Sequence, residues 1–271
     1  MTIKHELQAT ISTFFSIDVS NISDWHKLNG CNHVRSFCVN NEKYVIRKFR
    51  QPHPETATAE RAVYIALKPL GLTDELLYLD DTGIKITRFI EGVQMSYSKQ
   101  DQEDSINLLR YAHERAPTIP YSYDIFKSIR YWASLCQKEK SQNLKQLREH
   151  QPKIDKIKAK LDSMNIKPVL CHGDPCVNGN MLRLKDGSVR IIDWEYAGMA
   201  DPFQDIALAS VHQGFENVDP FESLERYLQR KPTRDEIYRL KAYATLGAFE
   251  LAAWKINDLS TKEFQEWLNY F

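Results

Sequence analysis

Residues 169–209 read VLCHGDPCVNGNMLRLKDGSVRIIDWEYAGMADPFQDIALA, and the rest of the chain is understood from this stretch outward. Pro168-Val169-Leu170 is a short apolar lead-in, which His172-Gly173-Asp174-Pro175 breaks into a loop. Asn180 to Leu184 and Val189 to Ile192 are strand-like runs, and Lys185-Asp186-Gly187 between them is hairpin turn chemistry. Asp193 stands at the end of the second strand. The entering loop thus carries an Asp and an Asn, and the leaving strand an Asp. This set of hard oxygen donors suits Mg²⁺ better than zinc.

Taken singly, Asp174 and Asp193 read equally well as turn caps. Taken together with Asn180 they match what phosphoryl transfer needs. That reaction asks little covalent help of a protein. It requires a metal on the phosphates, a cation on the phosphate oxygens, and a carboxylate to orient and deprotonate the acceptor hydroxyl. Asn180 and Asp193 are the metal-ligand candidates and Asp174 is the candidate base.

Upstream, residues 3 to 15 predict a short amphipathic helix. Trp25 to Leu28, Val34 to Val39 and Lys43 to Phe49 read as three antiparallel strands. A small-polar loop, Asn29-Gly30-Cys31-Asn32-His33, joins the first two, and Asn40-Asn41-Glu42 turns the second into the third. Glu55 to Lys68 is helical, with Ala62, Ile65, Ala66 and Ala59 forming one face. Leu76 to Leu79 and Ile84 to Ile90 add two strands across an Asp80-Asp81-Thr82-Gly83 turn. Residues 1–91 are therefore a small β-rich lobe with one helix.

Gly92 to Lys99 is a polar connector, and residues 92–271 are mostly helical. Helices are expected at about Asp101 to His113, Ile125 to Cys136, Leu144 to Met164, Asp205 to Val211 and Phe221 to Gln229. The lysine-rich face of the third reads as solvated. Thr233-Arg234-Asp235-Glu236 has capping-box form and should open a long helix running to about Ile256. Lys262 to Tyr270 closes the chain. The expected fold class is α+β.

Composition narrows the partners. The 271 residues hold 36 lysines plus arginines and 36 aspartates plus glutamates, so no global field points to nucleic acid or an anionic membrane. The 42% hydrophobic and 27% charged fractions are those of an ordinary soluble globular protein. No run of about 18 apolar residues is present to insert into a bilayer, and the N-terminus lacks a signal peptide's apolar core. Five cysteines without a C-x-x-C pair read as free thiols in a cytoplasmic protein. The composition is silent on oligomeric state.

His172-Gly173-Asp174 with a downstream Asn, then Ile191-Ile192-Asp193-Trp194-Glu195-Tyr196-Ala197-Gly198 and Asp205-Ile206-Ala207, resembles the choline/ethanolamine kinase and aminoglycoside phosphotransferase superfamily. The string IDWEYAG followed by DPFQDIA is most similar to bacterial choline kinases of the LicA type. The resemblance implies a two-lobed, protein-kinase-like fold with an antiparallel β N-lobe, a larger helical C-lobe, and ATP and Mg²⁺ as co-substrate and cofactor. It makes Asp174 the catalytic base, Asp193 the principal Mg²⁺ ligand and Asn180 the second. Five residues separate Asp174 from Asn180 where the family has four, which leaves Asn178 as the alternative ligand. By the same resemblance Asn29, Gly30, Cys31 and Asn32 form the phosphate-covering loop. Arg47 is the phosphate-contacting cation, Glu60 its helix partner, and Thr87, Arg88, Phe89 and Ile90 the hinge whose backbone meets adenine. His172 and Asp205 support the catalytic loop, Asp205 as the residue that opens a helix or as its plain N-cap.

An amino-alcohol acceptor with a quaternary ammonium needs aromatic rings and a carboxylate. Glu195, Tyr196, Phe249, Glu250 and Trp254 are the candidates, and the same aromatics also fit a helical core. Choline or a related amino alcohol leads, with thiamine and aminoglycosides as competing acceptors. A kinase-fold binding protein without catalysis is the alternative of another class.

Overall fold

Leu7 and Ile11, four residues apart, put one apolar stripe on the first helix, α1 (Ile3–Phe15). That stripe packs with Phe37, Val39, Tyr44, Ile46, Ile84 and Ile86 in a single hydrophobic cluster. The computed structural model of the protein describes residues 2–50, 56–214 and 217–269. It divides into two compact units, one made of Met1–Val93 and Leu182–Tyr196, the other of Gln94–Met181 and Ala197–Phe271.

The first unit is built on the sheet that carries that cluster. β1 (Ser23–Lys27), β2 (His33–Val39) and β3 (Glu42–Lys48) run antiparallel, followed by α2 (Thr56–Leu67), β4 (Leu76–Leu79) and β5 (Lys85–Arg88). Their order is β1-β2-β3-β5-β4. Asn40 and Asn41 take φ of 51° and 64°, the left-handed pair that a two-residue hairpin turn of the right twist needs. Tyr44 and Ile46 face the cluster, so alternation sends Val45 and Arg47 to the other face of β3. On α2, Ala57, Glu60, Val63, Tyr64, Ala66 and Leu67 are buried. Of the expected face, Ala66 is buried and Ala59 and Ala62 are half-buried, and Ile65 is the correction. Ile65 is 69% exposed, because the buried row follows Ala57, Glu60 and Val63 at a three-residue step, through a carboxylate that an apolar count passes over.

β6 (Gly92–Gln94) follows, and the chain then enters the second unit with α3 (Lys99–Arg115), α4 (Ile125–Ser134), α5 (Ser141–Glu149) and α6 (Gln151–Asp162). The single helix expected over 144–164 is two. Pro152 sits in the first turn of α6, where its missing N–H costs nothing, and it cannot continue the helix before it. β7 (Val169–Cys171) and the short α7 (Val177–Asn180) lead back to the first unit. There β8 (Met181–Leu184) and β9 (Val189–Ile191) make the expected hairpin, with Gly187 at φ 82°. β6, β8 and β9 form a three-stranded sheet in the order β6-β8-β9.

A division at residue 91 leaves Leu182–Tyr196 with the helical part, whereas the structure groups it with the strands. The reason lies in hydrogen bonding. Ile191 N donates to Leu72 O at 2.9 Å, and Trp194 Nε1 donates to Thr73 Oγ1 at 3.1 Å.

The second unit resumes with β10 (Gly198–Ala200), which pairs antiparallel with β7. α8 (Pro202–Val211), α9 (Pro220–Leu228), α10 (Arg234–Trp254) and α11 (Thr261–Asn269) complete it. α10 opens on the capping box of Thr233 and Glu236, as its sequence predicts. It packs against α4 and α8. Gly198 admits a close backbone approach, because a Cβ there would stand 2.6 Å from Tyr123 N. Among the described residues, no helix is long and apolar enough to cross a membrane.

Candidate active site

In the first unit the chemistry is organised by a register accident of the sheet. Arg47 on β3 and Lys85 on β5 are directly opposed across the strands, and two cations so placed repel. Both are buried, at 2% and 5% exposure. Glu60 of α2, wholly buried, lies between them. Its Oε2 accepts from Arg47 Nη2 at 2.5 Å and its Oε1 from Lys85 Nζ at 2.6 Å. Burial pushes Glu60 upward, but Lys85 and Arg47 together hold it below the usual carboxylate range. The remaining nitrogens reach the hairpin. Arg47 Nη1 donates to Asp193 Oδ1 at 3.0 Å and lies 3.4 Å from Glu195 Oε2, while Lys85 Nζ is 3.9 Å from Asp193 Oδ1. Burial opposes the Arg47 charge, yet Glu60, Asp193 and Glu195 raise its pKa. Arg47 Nε is buried without a partner among the described residues.

Asp193 adopts φ 65°, a left-handed conformation that Asp tolerates better than most residues. Its side chain is 35% exposed. Asn32 Nδ2 donates to both carboxylate oxygens of Glu195, at 3.0 and 2.8 Å, while Asn32 Oδ1 accepts from Arg50 N at 3.2 Å. Burial and the neighbouring Asp193 charge push Glu195 up to about 8. Asn29, Gly30 and Cys31 are exposed in the same loop. In the expected hinge Thr87 is buried and Phe89 N donates to Lys43 O at 3.0 Å. Arg88 is engaged on the surface by Glu42 and Glu75, both at 2.9 Å. Phe89 lies under Lys43, and Ile90 is half-buried. Tyr196 is half-buried in this unit.

In the second unit the loop after β7 is held by α8. Gly173 takes φ 84°, which turns two successive N–H groups toward one carboxylate. His172 N donates to Asp205 Oδ2 at 2.7 Å and Gly173 N to Oδ1 at 2.9 Å. His113 Nε2 lies 3.1 Å from Oδ2 and its Nδ1 3.1 Å from Tyr227 Oη. Asp205 therefore does not open α8 or cap it; Asp201 is the N-cap, and Asp205 is a first-turn residue aimed inward. His113, Cys171 and Asp205 are close enough to share an ion, but both Asp205 oxygens already take hydrogen bonds. His172 is buried, and its Nδ1 accepts from Asp174 N at 3.2 Å.

Asp174 itself is held from two sides. His212 Nδ1, just past the end of α8, is 2.7 Å from Oδ1. Asn180 Nδ2 donates to Oδ2 at 3.1 Å and to the Asp174 carbonyl at 2.9 Å. Burial pushes Asp174 up, but His212, His172 and Asn180 bring it below the ordinary range. The additional loop residue is absorbed by α7. Asn178 leaves helical geometry at φ −90°, ψ 65°, and Asn180 N closes the turn on Cys176 O at 2.8 Å. Asn178 is left exposed and Asn180 is brought onto Asp174. Both Asn180 Oδ1 and Asp193 Oδ2 lack a hydrogen-bond donor among the described residues. Each unit therefore offers a spare hard oxygen of the kind Mg²⁺ takes.

The acceptor-side candidates divide. Glu250 on α10 is buried, accepts from Tyr123 Oη, and is pushed up by burial. Phe249 is buried between His150 and Lys153, each 5.5 Å from its ring. Trp254 is half-buried under Lys255, 4.2 Å away. None of the five cysteines is in a disulfide; burial pushes Cys176 up to about 12 and holds Cys171 well above the ordinary thiol value, which makes both thiols inert.

Lys85 and His212 are the residues that sequence reading passed over. Lys85 alternates with Ile84 and Ile86 and so belongs on the face opposite the cluster, but its opposition to Arg47 depends on a non-adjacent strand. His212 follows Asp205 by seven residues, two turns along one helix face, and that spacing was a usable signal.

Residues 27–243 match the model of a family described as the phosphotransferase enzyme family. A curated relative, Protein LicA of Haemophilus influenzae, is 31% identical over 148 residues, which are 51% of this chain and 53% of LicA. The chain spans about half the length of the curated relatives it matches. The crystal structure of choline kinase LicA from Streptococcus pneumoniae superposes with a TM-score of 0.77 at 19% identity, covering 99% of each chain. A structure of LicA in complex with AMP gives 0.74 at 18% identity, covering 97% of this chain and 95% of that one. At these identities the likeness establishes a kinase-like fold.

Proposed function

Because the chain belongs to the phosphotransferase enzyme family, we propose that it moves the γ-phosphoryl group of ATP to the hydroxyl of choline or a related amino alcohol. The observation that carries this reading is the buried bridge from Glu60 through Arg47 to Asp193. It joins a phosphate-binding cation to a carboxylate suited to a metal, and a nuclease or phosphatase has no use for it.

Arg47 keeps Nη2 on Glu60 and offers Nη1 to phosphate oxygens in place of Asp193 and Glu195, a role its planar fork suits. The Asn29–Asn32 loop covers the phosphates, and the backbone of Thr87–Ile90 receives adenine. Asn180 and Asp193 are the residues that would hold Mg²⁺, which when bound neutralises charge on the phosphate oxygens. Asp174 accepts the acceptor's hydroxyl proton as the new O–P bond forms and the bond to the ADP oxygen breaks. Glu195, Tyr196, Glu250 and Trp254 stay on the acceptor side of the reading. Phe249 leaves it, because its ring is already enclosed. Five cysteines outside any disulfide fit the reducing cytoplasm.

The test is coupled ADP release by the purified protein with Mg²⁺ and, in turn, choline, ethanolamine, thiamine and an aminoglycoside. Choline or ethanolamine should drive release well above the acceptor-free rate. Release that none of the four acceptors stimulates defeats the proposed activity.

The metal assignment is tested separately. Asn180→Ala should raise the Mg²⁺ concentration needed for half-maximal rate by about tenfold or more, and Asn178→Ala should leave it within about twofold. The reverse order makes Asn178 the ligand.

A further inference from the structure

We propose that His212 is the positioning residue of the candidate base, holding the Asp174 carboxylate in the orientation from which it can receive the acceptor's proton. This rests on the reading of Asp174 as that base.

The argument starts from the freedom of an aspartate. Its terminal torsion is broad, so a carboxylate anchored at one oxygen still pivots. Here Oδ1 meets His212 Nδ1 at 2.7 Å and Oδ2 meets Asn180 Nδ2 at 3.1 Å, and two anchors on opposite oxygens stop the pivot. Asn180 is also the candidate metal ligand, so its amide is tied to the occupancy of another site. His212 is the anchor with no second task.

His212 is itself fixed. Its backbone N donates to Leu208 O at 2.9 Å, the last turn of α8. The next residue, Gln213, is buried; its Nε2 donates to Ala209 O at 2.7 Å and its Oε1 accepts from Asn178 N at 3.3 Å. α8 and the two residues that follow it thus grip the catalytic loop at three places: Asp205 at His172 and Gly173, His212 at Asp174, and Gln213 at Asn178. The loop cannot shift as a body without breaking contacts at both ends of α8.

Charge supports the same assignment. Burial lowers the His212 pKa, but Asp174, Glu250 of α10 and Asp205 of its own helix raise it above the ordinary 6.5. A helix C-terminus adds to that preference for a cation. Asp174, held below the ordinary carboxylate range, is ionised and can only accept, so His212 Nδ1 donates to it. The donation weakens Asp174 as a base while fixing where it points. That exchange suits a reaction in which positioning contributes more than proton affinity.

Three variants test the role: His212→Ala, His212→Asn, whose amide nitrogen can take the place of Nδ1, and Asp174→Asn as the reference. His212→Ala should lower kcat by about 10- to 100-fold, with KM for ATP within about twofold and thermal stability close to wild type. His212→Asn should recover most of the loss, which a purely structural role does not predict. A second readout needs no acceptor. In NMR titration of the free protein, the His212 imidazole should titrate above 6.5 and fall toward that value in Asp174→Asn. If Asp174→Asn is inactive while His212→Ala keeps kcat within twofold, the positioning role is wrong and the base assignment stands. Full activity in Asp174→Asn defeats the base assignment and this role with it. An imidazole midpoint that Asp174→Asn leaves unmoved overturns the pairing, whether or not any acceptor supports turnover.

Discussion

Replacing Asp174 by Asn should lower kcat by about 10²- to 10⁴-fold, the range that a positioned general base contributes. The substitution keeps the size and planarity of the side chain, so β7, α7 and α8 have no cause to move. A carbonyl oxygen remains for His212 Nδ1. What is lost is the second anionic oxygen, which must both face Asn180 Nδ2 and accept the acceptor's proton. The measurement is the initial rate of acceptor-dependent ADP release, with thermal unfolding as the control for folding. A variant that retains more than a tenth of wild-type kcat would mean that the hydroxyl loses its proton elsewhere.

Replacing Glu60 by Ala should destabilise the first unit by about 3–5 kcal/mol, the cost of leaving buried charge without its partner. The size follows from the sheet. Arg47 and Lys85 are opposed on adjacent strands, and Glu60 is the anion that both of them touch at hydrogen-bond distance. Asp193 is a poor replacement, because it lies 3.9 Å from Lys85 and is one-third exposed. Glu60→Gln should fall between, since it keeps an acceptor and loses the charge. The pH dependence has a definite sign. Glu60 is held below the ordinary carboxylate value in the folded protein. Its contribution is present above the unfolded pKa of about 4.3 and disappears as pH falls through the depressed folded value. Urea unfolding of wild type and Glu60→Ala should therefore converge in acid. A difference below about 1 kcal/mol at neutral pH would show that Arg47 and Lys85 find other partners.

Much of this architecture can be read from local pattern. The Asn40-Asn41 turn, the strand Leu76–Leu79, the Asp186-Gly187 hairpin and the capping box at Thr233 each carry their cause within a few residues, and each stands where the pattern puts it. What local pattern hides is pairing between distant segments. β7 and β10 have three residues each, too few to show a period, and only their mutual hydrogen bonds make them strands. The buried face of α2 escapes an apolar count because its central residue is a glutamate, whose burial makes sense only once Arg47 and Lys85 are seen opposite one another. The site follows the same rule. Asp174, Asn180 and Asp193 stand out because they cluster in sequence. Lys85 and His212 lie 108 and 38 positions from the carboxylates they approach, Asp193 and Asp174; nothing near Lys85 announces its partner, and the seven-residue step from Asp205 places His212 on a helix face without naming Asp174.

The interleaving of the two units has a consequence for how this protein can be divided. The chain leaves the first unit after Val93, returns at Leu182 and departs again after Tyr196. A fragment ending at Val93 would carry Arg47, Lys85 and Glu60 but neither Asp193 nor Glu195, so its two buried cations would share one anion. The strand-rich part is therefore not a module that recombination or expression could lift out at a single cut. Its inheritance is tied to a fifteen-residue segment encoded well downstream, and exchange between relatives would need both pieces to move together.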